Sequence, residues 1–229
     1  MYKEVVTDVF FDLDHTLWDF EKNSALTFQK ILSENDVFVD VDDFLKVYIP
    51  INFQYWKMFR EEKISKENLR YQRLKSVFDA LGYKATDELI HLLADEYIAH
   101  LSSFNHLFPG AIEVLKYLKT DYKLHIITNG FNDVQERKLK NSNIDGFFDV
   151  VINSELAGVK KPNPYIFEMA LNKAETVASR SIMIGDSLEA DILGAKEVGL
   201  YALHFNAHGE PLHTHCSIIH SLDEIKKYL

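Results

Sequence analysis

The chain has 229 residues, enough for one large domain or two smaller ones, and its 47% hydrophobic and 26% charged residues allow a sizeable core. A net charge of −10, from 25 Lys and Arg against 35 Asp and Glu, excludes general affinity for nucleic-acid polymers, which needs a basic face. A single cysteine, Cys216, excludes an intrachain disulfide, the N-terminal apolar run is too short and acidic for a secretory signal, and no apolar stretch reaches membrane-spanning length, so a cytoplasmic, membrane-free protein is expected.

Residues 5–17 read VVTDVFFDLDHTL, and residues 5–11 have the β-branched and aromatic content of a buried strand. This strand runs into Asp12 and Asp14, followed by the hydroxyl of Thr16. Like charges two residues apart at a buried strand end repel each other and lose hydration. A divalent hard cation such as Mg²⁺, which takes oxygen ligands, would compensate them. A solvated acidic turn would also account for this stretch taken alone.

From Trp18 to Phe104 the apolar spacing is helical: Ala25, Phe28, Ile31 and Leu32, then Leu74, Val77, Phe78 and Leu81 closed by Gly82, then Leu89, Leu92, Leu93 and Leu101. Residues 18–105 are therefore expected to form a helical insert in a domain built from residues 1–17 and 106–229. Pro109 suits the first turn of the next helix. Beyond it strand and helix alternate: strands at 122–128, 147–153, 181–185 and 200–205, and helices around Val114, over 131–143, from Pro162 and over 188–198. Ser221 and Glu224 have capping-box spacing before a closing helix. The alternation implies an α/β fold, a Rossmann-like, doubly wound, mostly parallel sheet with an inserted α-helical domain.

In such sheets ligands bind beyond the carboxyl ends of the strands. Asp12 and Asp14 follow the first strand, Thr128 and Asn129 the second, and Asp186, Ser187 and Asp191 the strand SIMIG, while Lys160-Lys161-Pro162 precedes a helix. Each place supplies a residue type suited to phosphate or Mg²⁺. Singly, Thr128-Asn129 and Asp186-Ser187 would read as helix caps and the lysines as solvated surface.

Taken in order, Asp12-Leu13-Asp14-His15-Thr16, Thr128-Asn129-Gly130, Lys161-Pro162 and Gly185-Asp186-Ser187-Leu188-Glu189-Ala190-Asp191 resemble the four motifs of the haloacid dehalogenase superfamily, most of whose members are Mg²⁺-dependent phosphohydrolases. The stretches DLDHTLWDF, ITNGF, KPNPYIF and FNAH further resemble its pyrimidine 5′-nucleotidase branch. The resemblance spans essentially the whole chain and implies a helical cap after the first motif. It implies that Asp12 is the nucleophile, forming an aspartyl-phosphate, and that Asp14 is the general acid and base. Mg²⁺ would be held by Asp12, the Asp14 main-chain carbonyl and Asp186. Lys161, the Thr128 hydroxyl and the Asn129 main-chain N–H would hold the phosphate, with Asp191 and Thr16 in support. Dehalogenases of the superfamily lack an acid at the second motif position, so Asp14 favours a phosphate ester.

The implied substrates are pyrimidine nucleoside monophosphates (dUMP, UMP, dTMP and modified analogues), with sugar phosphates or phosphoglycolate as rivals. A phosphomutase, a 2-haloacid dehalogenase or an inactive binding module would also be compatible with parts of the pattern. The insert and its approach are rich in aromatics, among them Phe53, Tyr55, Trp56 and Phe59. Trp18 and Phe20, which follow the first motif directly, are the rings expected to stack on a base. His204, His208, His213, His215 and His220 crowd the C-terminal segment without a zinc pattern and read as a solvated loop.

Overall fold

The computed structural model describes residues 2–229 and divides the chain into two units. One comprises the chain up to Phe20 together with Asn105–Leu229; the other is Glu21–Phe104. Trp18 and Phe20 thus go with the first unit. Among the described residues no helix is long and apolar enough to cross a membrane.

The first unit holds six parallel strands: β1 (Asp8–Phe11), β2 (Lys123–Thr128), β3 (Val150–Asn153), β4 (Ser181–Gly185), β5 (Tyr201–Phe205) and β6 (Ser217–Ile219). Their order is β3-β2-β1-β4-β5-β6, so the topology reverses between β1 and β4, the place at which sheets of this kind bind ligands beyond the carboxyl ends of their strands. The chain's helices are α1 (Phe20–Glu34), α2 (Val41–Arg60), α3 (Lys66–Ala80), α4 (Asp87–His100), α5 (Ala111–Leu118), α6 (Asn132–Asn141), α7 (Ser154–Ala157), α8 (Pro164–Lys173) and α9 (Gly194–Glu197). β1, DVFF, is buried along its whole length, as a central strand covered on both faces must be. Phe10, Ile127, Ile152 and Met183 from four strands share one core cluster with Ile166, Phe167 and Ala170 of α8 and Ala195 of α9.

The second unit has a core of its own. Phe28 of α1 packs its ring against Phe44, Tyr48 and Tyr97, with centroids 4.5–4.8 Å apart. Arg73, buried on α3, lies 4.9 Å from the Tyr97 ring centroid and donates to Asn52 Oδ1 at 2.9 Å. Gly82 takes φ +67°, the left-handed turn that ends α3.

Several boundaries move. β1 starts at Asp8, because the Val5 and Val6 N–H groups donate to the Tyr2 carbonyl in a turn. A 3₁₀ turn at Asp145–Phe147 takes the start of the third strand. α5 starts at Ala111, behind Gly110 at φ +84°, so Pro109 lies outside it. α8 starts at Pro164 rather than Pro162, because the Asn163 side chain caps it by accepting from the Tyr165 N–H. The helix expected over 188–198 is a π-helix, Leu188–Leu193, followed by α9. Ser221 and Glu224 do form a capping box, on a 3₁₀ segment, Leu222–Lys227. The histidine-rich segment is not simply a solvated loop: His204 is fully buried within β5, and β6 pairs beside it.

Candidate active site

β1 continues its pairing for one residue past Phe11, with the Asp12 N–H donating to the Ile184 carbonyl of β4 at 2.9 Å. The chain then turns sharply. His15 adopts φ +63°, the Leu17 and Trp18 N–H groups both donate to the Leu13 carbonyl, and the His15 N–H donates to the Trp18 carbonyl. This turn presents Asp12 and Asp14 to different partners. Thr16 is buried, and its hydroxyl lies 3.4 Å from Asp186 Oδ1.

Asp12 faces Lys161. The ammonium, 2% exposed, lies 2.8 Å from Asp12 Oδ1, 2.6 Å from Asp191 Oδ1 and 2.6 Å from the Ile127 carbonyl. Two of its hydrogens are engaged, by Asp12 and the Ile127 carbonyl, while Asp191 faces it as an ion-pair partner. Asp191 accepts from the Ser187 N–H through its other oxygen at 3.0 Å. Gly185 makes the approach possible: a Cβ there would collide with the Asp191 carboxylate. Asp186 completes the group, and its carbonyl accepts from His204 Nε2 at 2.6 Å, while His204 Nδ1 lies 2.8 Å from His213 Nε2.

The electrostatics are unbalanced. Asp12, Asp186 and Asp191 each bring a carboxylate oxygen to within 4.8 Å of the others, against one ammonium. Burial pushes the Asp12 carboxyl up to about 7, with Asp191 and Asp14 adding to the rise and Lys161 opposing it. Burial also pushes Asp186 well above the usual carboxylate range, reinforced by Asp191 and Asp12. Burial alone would lower Lys161, but Asp12 and Asp191 outweigh it and hold the ammonium above its ordinary value. Hard oxygen donors carrying surplus negative charge fit a divalent cation such as Mg²⁺. Asp191, expected in support, is thus one of the three clustered carboxylates. The Asp14 carboxylate turns away from them, leaving its main-chain carbonyl as the group it would offer a metal.

Asp14 faces α6, and here the structure reveals two residues the sequence did not single out. Lys138 Nζ lies 2.5 Å from Asp14 Oδ1, and Gln135 Nε2 donates to Asp14 Oδ2 at 3.0 Å. The only sequence signal was their spacing: three apart, they share a face of α6. Trp18 has no exposed surface and Phe20 is 8% exposed; Lys138 Nζ lies 4.3 Å from the Trp18 ring centroid and 5.3 Å from that of Phe20. The rings expected to stack on a base are buried and lie against this ammonium.

The Thr128 hydroxyl oxygen accepts from Gln135 Nε2 at 2.6 Å and from the Gly130 N–H at 3.2 Å, which leaves its own hydrogen to donate. Asn129 has a further function in its side chain. Its Oδ1 accepts from the Lys161 N–H at 2.7 Å and its Nδ2 donates to the Lys161 carbonyl at 3.0 Å, clasping two loops together.

Residues 9–199 match the haloacid dehalogenase-like hydrolase family. The chain is 32% identical over 201 residues to pyrimidine 5′-nucleotidase YjjG of Escherichia coli, covering 87% of this chain and 86% of that one. It is 32% identical over 206 residues to pyrimidine 5′-nucleotidase PynA of Streptococcus pneumoniae, covering 89% and 85%. Among solved structures, the magnesium-bound HAD-hydrolase YfnB from Bacillus subtilis superposes with a TM-score of 0.89 at 27% identity, over 98% of this chain and 99% of that one.

Proposed function

The chain belongs to the haloacid dehalogenase-like hydrolase family, and we propose that this hydrolase is a phosphomonoesterase acting on pyrimidine nucleoside 5′-monophosphates through an aspartyl-phosphate on Asp12. The observation that carries it is the division of labour within one turn. Asp12 lies with Lys161 in a group short of positive charge, while Asp14, two residues on, is held apart by other donors. That separation suits a nucleophile and a proton carrier, and carbon–halogen cleavage would need no proton carrier.

A phosphate ester resists attack because nucleophile and phosphoryl group are both negative, and a covalent intermediate divides the displacement into two easier steps. An Asp12 oxygen forms a bond to phosphorus as the bond to the ester oxygen breaks, and Asp14 gives that oxygen its proton. Asp14 then takes a proton from the water that attacks the aspartyl-phosphate, and inorganic phosphate leaves with Asp12 regenerated. Mg²⁺, held by Asp12, Asp186 and the Asp14 carbonyl, would supply positive charge between nucleophile and phosphate when bound. Lys161 fixes the direction of the Asp12 carboxylate through its hydrogen bond and adds its charge to the same space. The free hydroxyl hydrogen of Thr128 and the Asn129 main-chain N–H are donors for the remaining phosphate oxygens.

The nucleotide preference is supported by the two pyrimidine 5′-nucleotidases, each 32% identical over most of both chains. Phosphate release measured across dUMP, UMP, dTMP, several sugar phosphates and phosphoglycolate tests it. The expected result is a kcat/KM at least about tenfold higher for a pyrimidine nucleotide, equivalent to ~1.4 kcal/mol of discrimination. Activity should disappear with EDTA and return with Mg²⁺. Fastest release from a sugar phosphate would overturn the substrate class, transfer that requires a bisphosphate primer would indicate a mutase, and no release from any ester would leave a binding module.

A further inference from the structure

Lys138 belongs to none of the four loops, yet it is only 2% exposed. Dehydrating an ammonium is costly, and a methionine would fill much the same space without that cost. Its compensation is local: Asp14 Oδ1 at 2.5 Å and the Trp18 and Phe20 ring centroids at 4.3 and 5.3 Å. Burial nonetheless leaves the ammonium below its ordinary value, Asp14 notwithstanding. Gln135, on the same face of α6, spends both hydrogens of Nε2, one on Asp14 Oδ2 and one on Thr128 Oγ1. Its own Oε1 is left buried without a hydrogen-bond partner, and turning the amide over would aim that oxygen at a carboxylate. A dehydrated ammonium beside an amide with an unmet acceptor is poor packing. It is a good clamp: each oxygen of Asp14 has its own donor.

We propose that Lys138, assisted by Gln135, is a positioning residue for the hydrolysis. It holds the Asp14 carboxyl at the angle from which it serves the leaving oxygen and the attacking water, and Trp18 and Phe20 form the wall that fixes the ammonium. In this role Lys138 acts through Asp14 and need not touch the ester. The inference rests on the acid and base role proposed for Asp14.

A double-mutant cycle tests both and separates them. Lys138→Met, Asp14→Asn and the pair are assayed on dUMP, the steady state is followed by phosphate release, and a burst is sought with 4-nitrophenyl phosphate. Lys138→Met is expected to lower kcat on dUMP about 100-fold with KM within about twofold. It should retain a burst of 4-nitrophenolate, since that leaving group departs without a proton. Added to Asp14→Asn, it should cost less than about twofold of the residual turnover, because the two residues act as one unit. Lys138→Arg, which keeps the charge, should recover at least about tenfold over Lys138→Met. If Lys138→Met does not fold, as judged by its melting transition, Gln135→Met carries the same test, with about a tenfold loss of kcat that vanishes in the Asp14→Asn background. Equal losses in both backgrounds, or a raised KM with unchanged kcat, would overturn the proposal by putting the side chain on the substrate itself. Full activity of folded Lys138→Met beside an inactive Asp14→Asn would overturn the clamp alone. Full activity of Asp14→Asn would overturn the acid and base role beneath it.

Discussion

β1 carries a buried aspartate at its start and another just past its end, and the two have opposite characters. Asp8 accepts from the Thr7 and Thr176 hydroxyls at 2.6 and 2.8 Å and from His125 Nε2 at 3.0 Å. Burial would raise its carboxyl, but the Thr7, Thr176 and His125 hydrogen bonds outweigh that and hold it below the ordinary range. Asp12 has an ammonium at 2.8 Å and is nevertheless pushed up to about 7, because burial and neighbouring carboxylates exceed what Lys161 can offset. The polar group that serves the fold is satisfied. The one just past the strand's end is left wanting a cation. Full satisfaction marks architecture, and a deliberate shortfall marks chemistry.

The largest effect should come from removing the charge that is in surplus. Asp12→Asn is expected to lower phosphate release by about 10⁴-fold or more, since the nucleophile is lost. In metal-free buffer its melting temperature should stay level or rise, because one of three crowded carboxylates has been neutralised. A large drop in melting temperature would mean that Asp12 is as structural as Asp8. The converse substitution, Asp8→Ala, should leave kcat within about twofold and cost about 3 kcal/mol of stability in urea unfolding, because one buried and two part-buried donors lose their acceptor. Loss of activity in a folded Asp8→Ala protein would erase the distinction between the two ends.

The smallest effect is in the pH dependence, where the ends should pull in opposite directions. Asp12 is raised when folded, so the stability it contributes is present below its ordinary 3.8 and lost as pH rises through about 7. Burial holds His125 below its ordinary 6.5 against the pull of Asp8, so its contribution is present above 6.5 and lost as pH falls through its folded value. Asp8, also depressed, loses its contribution only as pH falls below 3.8. Melting curves in metal-free buffer between pH 5 and 8 should therefore show a reduced alkaline loss in an Asp12→Asn variant and a reduced acid loss in a His125→Gln variant. Saturating Mg²⁺ should flatten the alkaline loss in the parent protein. Identical profiles for parent and both variants would contradict the assignments.

The fold was legible where burial left an unmistakable run. Ser181–Gly185 is a strand residue for residue, because SIMIG is buried throughout and bounded by polar neighbours. β6 escaped notice because Ser217–Ile219 is three residues set among histidines, too short for any periodicity to register. The π-helix at Leu188–Leu193 has the apolar spacing of an ordinary helix, and only its backbone hydrogen bonding distinguishes it. At the site, Asp12, Asp14, Thr128 and Asp186 drew attention because they follow strand ends, and Lys161 because it stands before a proline in a recognisable order of motifs. Lys138 did not. In NDVQERKLKN it is one of three basic residues, and what buries it is an aspartate far earlier in the chain. For Trp18 and Phe20 aromatic character suggested a ligand, and their packing on a neighbouring ammonium was not legible.

The double hydrogen bond between the Asn129 side chain and the Lys161 backbone has a practical corollary for anyone recombining this enzyme with its relatives. The two segments are far apart in the chain but form a single mechanical part. A chimera that imports one without its mate inherits half a buckle, so crossover points are best chosen to carry both or neither.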